Sequence, residues 1–325
     1  MPEPLLSVRN LRVEYLTPKG PVRAVDDVSF DVAAGEVFGL AGESGCGKST
    51  LALAALRLLP PPAVITGGEV LFEGNDVLAM NDAALASFRW RKISLVFQSA
   101  MNALNPVLSI GAQISDVIER HEGVTRSQAL ERAAELLRLM GIDSSRLRSY
   151  PHQLSGGMRQ RVVIAIALAL KPPMMFMDEP TTALDVVVQQ EIMQQIAELK
   201  RELGFSILFI THDLSLMVEF SDRIGVLYAG KLVELSDAQQ LFERPRHPYT
   251  RGLMASFPAV RGPRRRLDGI AGSPPDMGNP PPGCRFHPRC TEALPRCRST
   301  SPSLLPVAPD AEVACHLYPE GPRSA

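Results

Sequence analysis

The hydrophobic pattern along the chain predicts a protein in which strands alternate with helices. Short apolar runs predict strands at 5–15, 25–32, 36–40, 69–72, 93–97, 174–177, 206–211 and 223–228. Helical patterns are found at 48–59, over 105–150, from about 156, and at 186–203. Strands that alternate with helices form parallel sheets covered on both faces, so the pattern predicts an α/β fold with a largely parallel sheet.

Two regions depart from this alternation. The residues near 99–161 carry helical patterns without an intervening strand, which predicts an all-helical subdomain. After about residue 245 the composition changes, and ten prolines lie between 272 and 309. Regular structure is not expected there, because such a segment stays disordered unless something cross-links it. We therefore expect a domain over 1–245 and a Pro/Cys-rich extension over 246–325.

Composition narrows the class of protein. The 325 residues are 45% hydrophobic, enough for a large core, and the net charge of −1 indicates neither a nucleic-acid partner nor an acidic one. The longest apolar run, at 162–170, has nine residues. A membrane helix needs ~18. No targeting signal is apparent at the N-terminus. We therefore expect a soluble, cytoplasmic chain that meets a membrane only through a partner.

One segment has the pattern of a nucleotide phosphate loop. Residues 42–49, GESGCGKS, fit G-x-x-x-x-G-K-[ST] and lie between a predicted strand and a predicted helix. The glycines let backbone N–H groups face the phosphates, and the helix adds its positive end. We expect Lys48 to pair with the β- and γ-phosphates of ATP and the Ser49 hydroxyl to bind Mg²⁺. The residues expected to hold the nucleotide here are Gly42, Ser44, Gly45, Gly47, Lys48, Ser49 and Thr50.

A second chemical signal is the sequence MMFMDEP at 174–180, an apolar strand that ends in two carboxylates. Asp178 suits a Mg²⁺ partner held through water, and Glu179 suits the residue that polarises the attacking water. Taken alone, the same two acids fit the solvated end of a strand equally well.

Three weaker signals for nucleotide binding accompany the phosphate loop and the acidic strand end. Gln98 directly follows a strand, where its side chain could reach the metal and the attacking water. His212 follows the strand at 206–211 and could touch the γ-phosphate. LSGGMRQR at 154–161 sets two glycines at the start of a helix, a second anion-binding terminus that suits a nucleotide held by another subunit. Singly, each of these signals is weak.

The order of these motifs resembles the nucleotide-binding subunit of an ATP-binding cassette (ABC) transporter over residues 5–245. The resemblance implies a RecA-like P-loop NTPase core and two subunits that sandwich two ATP molecules head to tail. The residues of one subunit that would handle ATP and its metal are Lys48, Ser49, Gln98, Asp178, Glu179 and His212. A soluble ABC ATPase of translation or DNA repair is the alternative. Such proteins often have two cassettes or a long coiled-coil insertion, and this chain has neither.

The resemblance also implies roles for residues outside the phosphate loop. The signature residues that would face the other subunit's nucleotide are Ser155, Gly156 and Gly157. Asp185 would lie at the dimer seam, and Tyr15 would stack on adenine unless it is an ordinary strand aromatic. Met158 stands where the family usually has Gln. The intact signature and Glu179 imply a competent half-site, not a regulatory partner that cannot hydrolyse ATP.

Two further stretches are similar to the dipeptide, oligopeptide and nickel import branch. They are QSAMNALNPVLSIGAQI, which begins at Gln98, and RHPYTRGLMASFP at 246–258. This branch implies an ATPase for peptide import at the cytoplasmic face of the cell membrane. It would work with a related second ATPase, two membrane permeases and an external solute-binding protein. Some relatives import sugars or nickel, so the solute does not follow from the ATPase.

Four cysteines near the C-terminus, which we call the four thiols, are Cys284, Cys290, Cys297 and Cys315. Their spacing, C-x5-C-x6-C-x17-C, is wider than that of structural zinc sites. Thiolates in a Pro-rich cytoplasmic segment suit an iron–sulfur cluster, and the family extension carries a [4Fe-4S] cluster in some members. Zinc, assisted by His287 or His316, and free or oxidised thiols are the alternatives. The expected role is structural, because metal binding supplies folding energy to a tail with few apolar residues.

Overall fold

The computed structural model describes residues 3–97, 103–182, 184–256 and 269–318. The strands are β1 (Leu6–Thr17), β2 (Gly20–Val32), β3 (Val37–Ala41), β4 (Ala63–Phe72), β5 (Asn75–Asp76), β6 (Ile93–Val96), β7 (Met174–Asp178), β8 (Ser206–Ile210), β9 (Arg223–Tyr228), β10 (Lys231–Asp237), β11 (Leu305–Ala308) and β12 (Ala311–Val313). The α-helices are α1 (Lys48–Ala55), α2 (Asp82–Phe88), α3 (Ile110–Glu122), α4 (Arg126–Leu139), α5 (Gly156–Ala167), α6 (Val186–Leu203), α7 (Leu214–Phe220), α8 (Ala238–Glu243) and α9 (Pro248–Ala255).

The chain forms two compact units. Unit 1 comprises Met1–Ala33, Val37–Leu78 and Ile210–Ala325, and unit 2 comprises Ala34–Glu36 and Ala79–Phe209. Unit 1 therefore contains the phosphate loop, Tyr15, His212 and the four thiols, and unit 2 contains the acidic strand end and the LSGG signature. The expected domain boundary near residue 245 falls inside unit 1.

Unit 1 contains strands of two sheets. One sheet is antiparallel, in the order β2-β1-β4-β5. The other has the order β11-β12-β10-β9-β3, with β9 and β3 parallel and the other pairs antiparallel. All five residues of β3 are buried, as expected for a strand covered on both faces. Phe30 of β2 stacks on Phe38 of β3 with ring centroids 4.8 Å apart, so the core lies between these sheets.

Unit 2 combines parallel strands with helices. Its strands have the order β8-β7-β6, and β6 and β7 run parallel. Every residue of β7 and β8 is buried. The helices have clear start signals: Ser109 caps α3, and Thr125 caps α4 in a capping box with Gln128. Residues 103–161, as described, contain helices and turns and no strand. Helices α3, α4 and α5 contact one another there.

Several predicted elements differ in extent from the observed ones. The helix predicted to reach residue 59 ends at Ala55, and Arg57 has a positive φ of 52°. The helical pattern over 105–150 breaks into α3 and α4, and Gly141 follows α4 with φ of 65°. The strand predicted at 69–72 begins at Ala63 and joins the antiparallel sheet, because its pairing partner β1 has a matching length.

The extension has more regular structure than its composition predicts. Helix α9 lies at its start, and β11 falls within the Pro-rich segment. Strand β12 pairs with β10, with Glu234 opposite Val313 and Ser236 opposite Ala311. The expectation of an irregular segment was therefore wrong here. The reason is that a distant strand edge supplies the hydrogen-bond partners, which local composition cannot reveal.

Candidate functional site

The phosphate loop lies between β3 and α1 in unit 1. Gly42 has φ of 144°, and a Cβ there would come within 2.3 Å of the Leu227 carbonyl oxygen. Gly47 has φ of 109°, and its Cβ would meet the Ala24 carbonyl oxygen at 2.3 Å. Both positions need glycine for two reasons, a left-handed backbone and the close approach of a neighbouring strand. The loop is thus packed against β9 and β2 as it turns into α1.

Lys48, the first residue of α1, folds its side chain back over this loop. Its ammonium donates hydrogen bonds to the carbonyl oxygens of Gly42 at 2.7 Å and Glu43 at 3.0 Å, and Lys48 is buried. Among the described residues, no side chain caps the N-terminus of α1, and its first turn has no acidic residue. The helix therefore presents open N–H groups and its positive end beside a buried cation. This arrangement can bind a phosphate.

The other residues predicted for the nucleotide in unit 1 surround this helix start. Ser49 and Thr50 are half-buried, and Ser44 and Gly45 are exposed. The Tyr15 hydroxyl lies 3.2 Å from Oγ1 of Thr50, so β1 brings this ring next to the loop despite its distance in sequence. Its half-buried ring therefore lies beside the start of α1.

The two acids in unit 2 differ in their surroundings. Asp178 ends the buried strand β7 and is itself buried. Glu179 is half-buried, and its carboxylate accepts a hydrogen bond of 3.0 Å from the Thr182 hydroxyl. The backbone of Glu179 has φ of 49°, which is uncommon for a residue other than glycine. Such strain costs on the order of 1 kcal/mol and is concentrated at functional sites.

The LSGG signature and Asp185 come together in unit 2. Ser155 accepts a hydrogen bond of 3.3 Å from the Met158 N–H and so caps α5. Asp185 caps α6 by accepting from the Val188 N–H at 3.0 Å. A Cβ on Gly157 would come within 2.7 Å of Val188, so the two helix starts are in close contact. The concave surface between them is lined by Ser155, Gly156, Gly157, Met158, Arg161, Leu184, Asp185, Val188 and Glu191.

The structure gives less information about His212 and Gln98, two further residues predicted for the nucleotide site. His212 is exposed and lies two residues after the end of β8, separated from it by the buried Thr211. The next residue, Asp213, caps α7 by accepting from the Leu216 N–H at 3.1 Å. Gln98 lies outside the described residues.

The four thiols are free, and three of them are partly exposed while Cys297 is buried. Burial, and to a lesser extent the charges of Cys297, Cys315 and Cys290, raise the pKa of Cys284 to about 11. The pKa values of Cys290 and Cys315 are also raised, first by burial. The Cys284 N–H donates to the Cys297 carbonyl oxygen at 2.9 Å. The thiols therefore lie in one region and influence one another electrostatically.

The four thiols are not arranged around a single metal ion. In the part of the chain that the structure describes, no group of three or more His, Cys, Asp or Glu residues is arranged to hold one. Each histidine proposed to assist zinc has a ring nitrogen beside a backbone carbonyl oxygen, His287 at Cys284 and His316 at Thr300, both at 2.9 Å. Four thiols are a donor set that an iron–sulfur cluster uses, but the arrangement of the described residues supports neither a zinc ion nor a cluster.

Sequence reasoning missed residues whose importance depends on contacts. Glu43 occupies an unspecified position of the loop pattern, yet Arg289 and Tyr249 of the extension both bind it. Val186 and Val187, at the start of α6, are 77% and 67% exposed. Their apolar character was visible in the sequence, but their exposure was not.

The fold and these two sites define a P-loop ATPase of the ATP-binding cassette class. The family model described as "ABC transporter" matches residues 25–182, and the one described as "Oligopeptide/dipeptide transporter, C-terminal region" matches 233–297. The chain belongs to the ATP-binding subunits of ABC transporters, in the dipeptide and oligopeptide transporter branch.

Relatives match over nearly the whole chain. A dipeptide transport ATP-binding protein of Caldanaerobacter subterraneus is 43% identical over 98% of each chain. An oligopeptide transport ATP-binding protein of Bacillus subtilis is 42% identical over 97% of each. A solved dimeric bacterial ABC transporter cassette is 31% identical, with a TM-score of 0.65, over 72% of this chain and 98% of its own. Among the described residues, no helix is long and apolar enough to cross a membrane.

Proposed function

We propose that this chain is the ATP-hydrolysing subunit that powers import of dipeptides or oligopeptides across a membrane. One observation carries the proposal: a phosphate loop with its helix start and a peptide-transporter C-terminal region occur in the same chain. The names of the relatives, which include dipeptide and oligopeptide transport proteins, support the same solute class.

Within this function the predicted residues have separate roles. Lys48 binds the β- and γ-phosphates, and Ser49, Gln98 and Asp178 hold Mg²⁺. Glu179 polarises the attacking water, which fits its half-buried carboxylate and strained backbone. The remaining predicted contacts are His212 at the γ-phosphate and Tyr15 at the adenine. Their support is the position of His212 at a strand end and of the Tyr15 ring next to α1.

Two ATPase subunits act together in this proposal. The signature surface of unit 2, with Ser155, Gly156, Gly157 and Asp185, faces the nucleotide of a related second subunit. The exposed side chains of Val186 and Val187 support an interface there, because adjacent apolar residues at a helix start are covered on association. The solved cassette with a TM-score of 0.65 is itself dimeric.

The proposed complex further contains two membrane permeases and an external solute-binding protein, with this chain at the cytoplasmic face of the membrane. The exposed apolar side chain of Val107, in the segment after Gln98, suits contact with a permease. The test is ATP hydrolysis by the assembled complex in proteoliposomes. Hydrolysis should rise when the binding protein carries a dipeptide or an oligopeptide. Stimulation by a sugar or by nickel instead, with none by peptides, would contradict the proposed solute.

A [4Fe-4S] cluster bound by Cys284, Cys290, Cys297 and Cys315 is part of the proposal. The set of four thiols and the proximity of Cys284 to Cys297 support it. A cubane cluster takes one thiolate on each iron, so its ligands lie farther apart than those around one ion. The cluster would cross-link the extension, and these cysteines would be its ligands.

A further inference from the structure

Residues of the extension contact the phosphate loop through Glu43. The Glu43 N–H donates a hydrogen bond of 2.8 Å to the Tyr249 hydroxyl. Its carboxylate accepts two hydrogen bonds from the Arg289 guanidinium, at 2.8 and 3.0 Å. Its carbonyl oxygen accepts from the Lys48 ammonium at 3.0 Å. The backbone and side chain of this loop residue are therefore both held, and two of the three partners lie in the extension.

Arg289 is fixed from several sides. Its side chain is only 6% exposed, and its Nε donates to the Ala271 carbonyl oxygen at 2.9 Å. The guanidinium also lies over the Tyr228 ring, 5.8 Å from its centroid. The hydrogen bonds to Glu43 raise the pKa of Arg289 further above its ordinary high value, so the side chain stays charged. A two-point bond from a planar, immobilised guanidinium fixes both the position and the orientation of a carboxylate.

Tyr249 reaches the loop from an aromatic cluster. Its ring centroid lies 4.6 Å from that of Tyr228 and 5.4 Å from that of Phe286. Tyr249 and Phe286 are both buried. Phe286 and Arg289 lie in the seven-residue segment that begins at Cys284 and ends at Cys290. The conformation of this segment therefore determines the position of the Arg289 guanidinium and that of the Phe286 ring, against which Tyr249 packs.

We propose that Arg289 and Tyr249 are positioning residues for ATP binding, which hold the phosphate loop through Glu43 and make ATP affinity depend on the fold of residues 284–290. The inference rests on the proposed function, since it assumes that ATP is the ligand of the loop. The link to the nucleotide is Lys48, which bonds the Glu43 carbonyl oxygen. A displacement of Glu43 therefore also changes the environment of the cation that binds phosphate.

The experiment measures binding of a fluorescent ATP analogue to the full-length chain. Arg289→Ala and Tyr249→Phe should each weaken affinity about 5- to 10-fold, the lower range of coupling between linked sites. Arg289→Lys should recover only part of the loss, because an ammonium cannot make the two-point bond. The matched control is Arg298→Ala, which removes an exposed arginine of the same extension and should leave affinity unchanged.

A charge exchange separates positioning from simple anchoring. Glu43→Arg combined with Arg289→Glu should restore affinity to within about threefold, whereas either change alone weakens it. Should Arg289→Ala not fold, Arg289→Lys and Tyr249→Phe remain as conservative tests. Wild-type ATP affinity in both Arg289→Lys and Tyr249→Phe would overturn this inference and leave the proposed function intact. The same conclusion would follow if Arg289→Ala bound ATP with wild-type affinity while its extension had become sensitive to protease. Failure of the wild-type chain to bind ATP would overturn the proposed function and this inference together.

Discussion

The Arg285 guanidinium lies 2.5 Å from the Asp26 carboxylate, an ion pair between residues 259 positions apart in the chain. The Arg285 side chain is only 6% exposed and also donates to the Ala229 carbonyl oxygen. Lys231 lies 3.3 Å from the same carboxylate, so Asp26 is held by two cations. The segment between the first two thiols is thereby joined to β2 by a largely buried charge.

The first prediction concerns this ion pair. Arg285→Ala should loosen the extension and destabilise unit 1 by about 3 kcal/mol, the low end for breaking a buried pair, because Lys231 still neutralises Asp26. Limited proteolysis of the full-length chain should then cleave after about residue 280 several times faster than in wild type. Arg298→Ala is the control and should be cleaved at the wild-type rate. Equal cleavage of both variants would mean that the pair does not hold the extension.

The second prediction concerns the phosphate loop. Gly47→Ala should abolish most ATP binding, because the new Cβ would lie 2.3 Å from a backbone oxygen that side-chain rotation cannot move. Gly45→Ala is the matched comparison, since its Cβ would meet nothing within 4 Å. Gly45→Ala should lose only the conformational energy of placing an alanine in a left-handed backbone conformation, about 1–2 kcal/mol. Isothermal titration with ATP should thus rank wild type, Gly45→Ala and Gly47→Ala in decreasing affinity. The reverse order of the two variants would contradict the packing argument.

The third prediction separates binding from hydrolysis. Glu179→Gln should bind ATP with near wild-type affinity and lower the hydrolysis rate of the assembled transporter on the order of 100-fold, because the phosphate contacts remain while the attacking water loses its base. Phosphate release by the complex measures the rate. Glu198→Gln, an exposed carboxylate on α6, should hydrolyse ATP normally. A Glu179→Gln complex that turns over within a factor of two of wild type would exclude the proposed role.

The fourth prediction concerns the four thiols. Protein purified without oxygen should be brown and contain iron and sulfide with little zinc. Replacing any one of Cys284, Cys290, Cys297 or Cys315 by Ser should remove the colour and expose the extension to protease. Cys46→Ser is the control, because Cys46 is buried beside Lys48 in the phosphate loop. Colourless protein with stoichiometric zinc would reject the cluster and retain a metal-bound tail.

Local patterns predicted β3, β6, β7, β8 and β9 to within about one residue at each end, but they missed β10, which pairs with the adjacent β9. The phosphate loop was found from the letters alone, because its glycines, lysine and helix start are consecutive. The start of β4 and the end of α1 were misplaced, since one depends on pairing with β1 and the other on a local positive φ at Arg57. The β11–β12 hairpin was missed because its pairing partner, β10, lies about 70 residues earlier in the sequence.

The sequence by itself determined the class of this protein, because the phosphate loop, the LSGG signature and the acidic end of β7 follow one another in a recognisable order. Only the tertiary structure decided what the extension touches. Nothing near Arg289 in the sequence indicates a partner at Glu43, 246 positions away. That pairing exists because the aromatic contacts of Phe286 and the Arg285–Asp26 ion pair fix the 284–290 segment beside the loop. Contacts of this range depend on where folding brings separate segments, which local periodicity and motif spacing do not encode.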